Sequence, residues 1–315
     1  MPAAGMGLAE WAGGGGMSRE DALGIPAVQA CIGLVSAVVT RLPLRLYATG
    51  GGKREPLDGD PRARLLNDDP GDALDAPQFW NAILRDYFLG KGGYAYVRRA
   101  RNKVLSLHYV DERQVAAEAG HDPIFKRNSL MVGGRRYQPH EFVIVLRNTM
   151  DGASGRGVLQ EARLLLGTMR GAMEMERKLM EGEGGKKGII KPEAGVTKIA
   201  LEQLREHFEL AMARKSPMVM TNQGIAFVPF SASPSELQMQ EAKAANSREV
   251  CKLFGLPPDL VHGGAPAGAN LNRLFAQAMR TGILPVIKII ESALNRVLLL
   301  ESEKKTTSSR STSWN

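Results

Sequence analysis

Apolar residues recur along this chain at two periods, and the change from one to the other organises it. Val28, Cys31, Ile32, Val35, Val38, Val39 and Leu42 stand three and four apart, the spacing of one helix face, and Pro43 ends the pattern. A short strand over 44–47 precedes a turn-rich stretch at 50–53. Asp75 as N-cap and Pro77 in the first turn announce a second helix, with Phe79, Ile83, Tyr87 and Phe88 on one face up to Gly90. The period then shortens. Tyr94, Tyr96 and Val97 face Val104, Leu105, Leu107 and Tyr109 across a polar turn at Arg101 and Asn102, a hairpin signature. Two further strands are predicted over 129–132 and 142–146, with Gly133 and Gly134 between them. The first half reads as helices leaning on a small antiparallel sheet.

Past a turn-prone stretch at 151–157 the helical period returns, with Leu159, Ala162, Leu166, Met169 and Met173 in register. At about 1.5 Å per residue, one helix from 157 to 181 would reach roughly 37 Å. A second long helix is predicted over 234–254, and a third over 271–300, kinked by Pro285 because proline removes a helix hydrogen bond. Between the first two sits a compact insertion, with strands over 188–191, 218–221 and 225–229 and a helix over 200–214. The fold class is therefore α+β, with two long helices bracketing a small α/β unit. Residues 1–25 carry seven glycines and no sustained period, and 301–315 is Ser/Thr-rich, so both ends are expected to be flexible.

Composition narrows the function classes. The chain has 315 residues, 43% of them hydrophobic, with 35 glycines and 17 prolines, which excludes a fibrous or wholly disordered protein. Cys31 and Cys251, far apart and each inside an apolar helical pattern, argue against a disulfide scaffold or thiolate metal site and for a reducing compartment. The longest uncharged stretch, 22–40, is split by Pro26 and interrupted by Gln29, Ser36 and Thr40, too short a remainder to cross a bilayer of about 30 Å. No membrane partner is expected. A net charge of +8 permits a polyanionic neighbour.

The search for catalytic chemistry comes out empty. GEGGKKG at 182–188 lacks a phosphate loop's leading glycine, where Met180 stands, and its hydroxyl residue, where Lys187 stands. His108, His121, His140, His207 and His262 never fall at metal-ligand spacing. Ser154 lies in GASGRG, which does not fit the nucleophile turn G-x-S-x-G, and Asp58, Asp60, Asp68 and Asp69 sit in turns that favour Asp for local hydrogen bonds. No catalytic residue, metal or cofactor is expected. Basic clusters at Arg98, Arg99, Arg101 and Lys103, at Arg135 and Arg136, at Lys186, Lys187 and Lys191, and at Lys304, Lys305 and Arg310 read either as solvated loop charges or as nonspecific phosphate contacts. The methionines at 169, 173 and 180 read as adaptable packing, inside the subunit or against a neighbour.

The order of sequence blocks resembles the portal protein family of tailed bacteriophages and prophages. These blocks are AVQACIGLVSAVVTRLPLRLY, PRARLLNDDP, FWNAILRDYFLGKGGYAYVRR, DGASGRGVLQEARLLLG, VCKLFGLPPDLVHGG and LNRLFAQAMRTGILPVIKIIESALNRVLL. FGLPPDLVHG is the sharpest, a helix end at Gly255 followed by Pro257 and Pro258. The resemblance implies a non-enzymatic subunit of a twelve-membered ring at one capsid vertex, built in the host cytoplasm and carried in the virion. The ring would pass double-stranded DNA without sequence preference. It would dock the terminase large subunit, capsid protein and head-completion proteins. Residues 26–156 would be the wing, 157–185 and 232–255 the stem helices, 186–231 the clip, 256–271 the tunnel-loop region, and 272–300 a long kinked helix toward a short crown. On this template His262, Gly263, Gly264, Ala265, Pro266, Ala267, Gly268, Ala269 and Asn270 line the channel. Lys186, Lys187 and Lys191 face partners from the clip, and Leu166, Met169 and Met173 pack between subunits. The alternatives are a DNA-processing packaging enzyme and a plain oligomeric adaptor.

Overall fold

The computed structural model describes residues 17–50, 53–57, 59–118, 120, 122, 124, 128–180, 188–192, 202, 206, 225–229, 235–263, 270–300, 303 and 307–311. The chain divides into two compact units, residues 1–166 with 247–315 and residues 167–246, and both divisions fall inside helices.

Order in the first unit begins earlier than the expected flexible segment 1–25 allows. Ser18 opens helix α1 (Arg19–Leu23) with a capping box in which its hydroxyl accepts from the Asp21 amide at 3.0 Å and the Asp21 carboxylate accepts from the Ser18 amide at 3.2 Å. Ala22 and Ile25 are buried. Arg19 fastens the helix, its guanidinium 2.7 Å from Asp86 and 2.6 Å from Glu112. The glycine-rich composition of the first 25 residues hid this polar anchor, whose two acidic partners lie far along the chain.

Helix α2 (Pro26–Val39) buries the predicted stripe Val28, Cys31, Ile32 and Val35. Strand β1 (Leu44–Gly50) turns back into β2 (Lys53–Pro56), and helix α3 (Pro61–Asn67) is capped by Asp60. Helix α4 (Ala76–Leu89) starts at the predicted Asp75 cap and buries Phe79, Ile83, Tyr87 and Phe88 together with Trp80 and Leu84. Trp80 Nε1 donates to the Leu66 carbonyl at 2.9 Å, satisfying its polar edge inside the core.

The predicted hairpin is β3 (Gly93–Ala100) and β4 (Lys103–Val110), with Tyr94 opposite Val110 and a register irregularity at Arg98 and Arg99. The rest of the first half departs from one small sheet. Strands β5 (Val115–Glu118), β6 (Ser129–Val132) and β7 (Arg135–Tyr137) form a sheet of their own, while β8 (Phe142–Val145) pairs with β3. Gly133 and Gly134, both at positive φ, make the tight turn between β6 and β7. Tyr96, Tyr137 and Phe142 join the two sheets edge to face, with ring centroids 5.5–5.7 Å apart, over buried Tyr94, Val115 and Leu130.

The long helix expected from 157 is interrupted: α5 (Val158–Glu161) ends at Ala162, whose φ of −111° and ψ of 26° leave the helical region, and α6 (Arg163–Met180) follows. Helix α7 (Ser235–Leu253) matches the second long helix, and a short α8 (Pro258–His262) comes after it. The third long helix is α9 (Leu271–Ala278), a π-helical turn (Met279–Ile283) and α10 (Leu284–Leu298). Pro285 has no N–H for the carbonyl a turn behind it, and the ladder adjusts just upstream, where the Leu284 amide donates five residues back to Met279. The expected kink thus becomes a π turn preceding the proline.

Residues 307–311 of the tail form a strand where flexibility was expected. Strand β11 (Thr307–Ser311) pairs antiparallel with β1, Ala48 opposite Thr307 and Leu44 opposite Ser311, giving sheet order β11-β1-β2. Glu303 anchors it through Arg62, which also grips Asp60, each ion pair at 2.8 Å.

In the second unit β9 (Gly188–Pro192) and β10 (Ile225–Pro229) pair antiparallel, Gly188 opposite Pro229. Lys243 meets Glu176 at 3.0 Å, linking α7 to α6. The predicted strand at 218–221 lies outside the described residues, as does nearly all of the predicted helix over 200–214.

Candidate functional site

The sharpest sequence block, FGLPPDLVHG, lies where helix α7 ends and the chain turns toward α8. Gly255 sits at φ +68°, and a Cβ there would meet the Thr281 carbonyl oxygen at 2.5 Å. From the other side, a Cβ on Gly282 would meet the Phe254 carbonyl oxygen at 2.8 Å. The two backbones approach this closely because neither carries a side chain. Thr281 Oγ1 donates across the gap to the Gly255 carbonyl, and the tilted ring of Phe254 packs against Phe88 with centroids 5.0 Å apart. The α7–α8 turn and the π turn are therefore one locked unit.

From that unit the chain leaves and returns at fixed points. Helix α8 ends at exposed His262 and at Gly263, whose φ is +68°, and Asn270 caps α9 by accepting from the Arg273 amide at 3.3 Å. Of the expected channel-lining residues, His262, Gly263 and Asn270 flank the loop; Gly264, Ala265, Pro266, Ala267, Gly268 and Ala269 lie outside the described residues. Lys186 and Lys187 also lie outside them, and Lys191 stands on β9 opposite Ala226.

Of the residues expected between subunits, two are covered by their own chain and one is partly exposed. Leu166 is completely buried and Met169 nearly so within this single chain, while Met173 is half-buried. A side chain already covered by its own subunit has no apolar area left to offer a neighbour. Helical spacing marked the apolar stripe correctly but could not say what covers it. Among the described side chains, the large apolar ones that α6 exposes are Leu164, at 86% of full accessibility, and Met175, at 55%.

Two arrangements escaped sequence reasoning because their members are distant in the chain. Ser106 Oγ lies 2.8 Å from His108 Nε2, and His108 Nδ1 lies 3.4 Å from Asp72, whose other oxygen accepts from the Tyr109 amide at 3.0 Å. This order of groups matches a nucleophilic triad, but Ser106 is buried, and Gly71 lies so close that a Cβ on it would stand 2.8 Å from the Ser106 Cβ. The hydrogen bonds fasten the 68–75 loop to strand β4. The only sequence signal was Ser106 and His108 alternating onto one strand face.

The second arrangement joins the two cysteines, which sequence separation had kept apart. Cys31 and Cys251 are both free thiols, fully buried, with sulfurs 3.8 Å apart, and His262 Nε2 lies 3.4 Å from the Cys251 sulfur. The Cys31 S–H bond to Cys251, helped by the neighbouring His262, pulls the Cys251 thiol down to about 6 against the effect of burial. The same contact and burial push Cys31 up. Among the described residues no group of three His, Cys, Asp or Glu side chains is placed to hold a metal ion, and no helix is long and apolar enough to cross a membrane.

Comparison with known proteins agrees with this architecture of helices and small antiparallel sheets. Residues 26–312 match the family model for phage portal proteins, and the chain belongs to that family. It is 20% identical over 308 residues to the probable portal protein of Streptomyces phage phiC31, covering 92% of this chain and 67% of that one. The portal protein of Enterobacteria phage HK97 is 23% identical over 297 residues, with coverages of 91% and 70%. Among solved structures, an HK97-family phage portal protein from Corynebacterium diphtheriae superposes with a TM-score of 0.70 at 16% identity, covering 95% of this chain and 96% of that one. A chain in the neck of a native gene transfer agent particle, computed with C12 symmetry, gives 0.62 at 20% identity, with coverages of 93% and 82%. Portal proteins are structural components of the virion, at a capsid vertex.

Proposed function

We propose that this chain is one subunit of a closed ring of twelve at a capsid vertex, through which double-stranded DNA enters during packaging and leaves during ejection. The observation that carries the reading is the family match across residues 26–312. The likeness to a chain from a neck computed with twelvefold symmetry supports the subunit number. The mechanism is geometric: rotational symmetry closes the ring, and weak phosphate contacts let the duplex slide where tight ones would stall it. Residues 26–156 serve as wing, 157–185 and 232–255 as stem, 186–231 as clip, 256–271 as the tunnel-loop region and 272–300 as the helix toward the crown. Residues 262–270 line the channel; they include no lysine or arginine. The clip, with Lys186, Lys187 and Lys191, docks the terminase large subunit and later the head-completion proteins. The stem presents Leu164 and Met175 to the neighbouring subunit.

Electron microscopy of the purified full-length protein tests the reading. A ring with a central hole and twelvefold symmetry is expected. Monomers or open chains under conditions where the protein is folded and concentrated would overturn it.

A further inference from the structure

We propose that Cys31 and Cys251 are a modification site, a thiol pair that a peroxide converts to an intrachain disulfide stapling helix α2 to the end of helix α7. The inference stands apart from the ring reading, since the chemistry needs only the folded subunit.

The geometry supplies each requirement. The sulfurs already touch at 3.8 Å, so bond formation asks for a closing movement of under about 2 Å to reach the S–S length. They belong to separate elements, one inside α2 and one in the last turn of α7, so the new bond would cross-link two helices. The pair is also asymmetric. Cys31 donates its S–H to Cys251, and the His262 imidazole lies on the Cys251 sulfur alone. Cys251 is therefore the sulfur that more readily gives up its proton and the one that reacts first. Both sulfurs are enclosed, whereas the imidazole against Cys251 is exposed, so a small oxidant reaches the pair from the α8 side.

The steps balance. The Cys251 thiolate attacks one peroxide oxygen, the O–O bond breaks, and the departing hydroxide takes a proton to become water, leaving a sulfenic acid on Cys251. Cys31 then attacks the Cys251 sulfur, the S–S bond forms and the S–O bond breaks. The leaving hydroxide takes the Cys31 proton as a second water. Two thiols lose two electrons and two protons overall, and hydrogen peroxide is reduced to two waters. A thiol reductant reverses the change by exchange.

The test treats the full-length protein with hydrogen peroxide, alkylates remaining thiols in denaturant, and maps the peptides by mass spectrometry. The expected result is loss of both alkylatable thiols and a peptide pair joined through Cys31 and Cys251, lighter by two hydrogens and separated by dithiothreitol. In Cys31→Ser the second step is blocked, and dimedone should capture the sulfenic acid on Cys251. Exposed Met150 reports that oxidant was delivered. If it becomes a sulfoxide while Cys31 and Cys251 are both still alkylated, or if the cysteines link only between chains, the proposal is overturned. The wild-type map decides this even if the serine variant fails to fold.

Discussion

Gly255 and Arg19 show how single residues set this fold by different physics. Gly255 combines a left-handed backbone with a neighbour too near for any side chain. Gly255→Ala should cost at least about 2 kcal/mol, from positive-φ strain and the displaced Thr281 carbonyl together. A denaturant midpoint equal to wild type would contradict the close approach. The sequence announced a helix stop at this glycine, because Pro257 and Pro258 follow it, but the reason glycine is required lies in the π turn, residues away. Arg19 is a case of charge. Burial holds the Asp86 carboxyl above its ordinary value, against the opposing pull of the guanidinium, the Tyr109 hydroxyl and the Glu112 amide. Removing the cation by Arg19→Met leaves the buried Asp86 carboxylate without its counter-charge and should cost about 3 kcal/mol at neutral pH. Acid relieves that cost by protonating Asp86, so the gap between variant and wild type should narrow as pH falls. A gap independent of pH would mean that Arg19 acts by packing alone.

Elements were legible where their own residues carry the pattern and illegible where a distant partner imposes it. The β3–β4 hairpin, β6 and β10 stand where alternating apolar residues predicted them, and α4 begins at its Asp75 cap. Strand β11 carries no such pattern, since TSSRS is polar throughout. It is a strand because β1 offers an edge and because Arg62 holds Glu303 just before it. That dependence makes it acid-sensitive. Arg62 holds the carboxyls of both Asp60 and Glu303 below the usual carboxylate range. A depressed carboxyl contributes stability above its unfolded value, near 4, and loses it as pH falls through the folded value. Amides of 307–311 should therefore exchange faster near pH 3 than intrinsic rates allow for, while α4 stays protected, and Glu303→Gln should reproduce much of the effect at pH 7. Equal protection at both pH values would assign the docking of β11 to its ladder hydrogen bonds alone. The candidate site divides in the same way: its helix ends and caps were readable, whereas the Cys31–Cys251 contact depends on helices meeting that are far apart in sequence.

For the whole molecule, the proposed ring assembly and passage of DNA would use two surfaces that mutation can address independently. Leu166 is enclosed by its own chain, so Leu166→Asp should unfold the subunit, whereas Leu164→Asp and Met175→Asp should leave it folded and weaken the ring. Circular dichroism with sizing chromatography tells these apart, and folded, intact rings from both the Leu164 and the Met175 variant would remove α6 from the interface. The proposed channel is the second surface, and its chemistry is one of omission. The chain carries a net charge of +8, but the stretch from His262 to Asn270 is Gly, Ala and Pro between its two ends, with no lysine or arginine to hold a phosphate. If that stretch lines the narrowest part of the ring, a sliding duplex meets a wall offering no strong anchor. Adding anchors should then act as a brake. Ala265→Arg with Ala267→Arg would place two cations per subunit against the backbone, and each phosphate they neutralise releases condensed counterions. Packaging should slow, most at low salt and progressively less as salt rises. The double variant with lysine in place of arginine should behave alike, because the brake depends on charge rather than on base recognition. Packaging at the wild-type rate in low salt, by rings confirmed intact, would place residues 262–270 away from the DNA path.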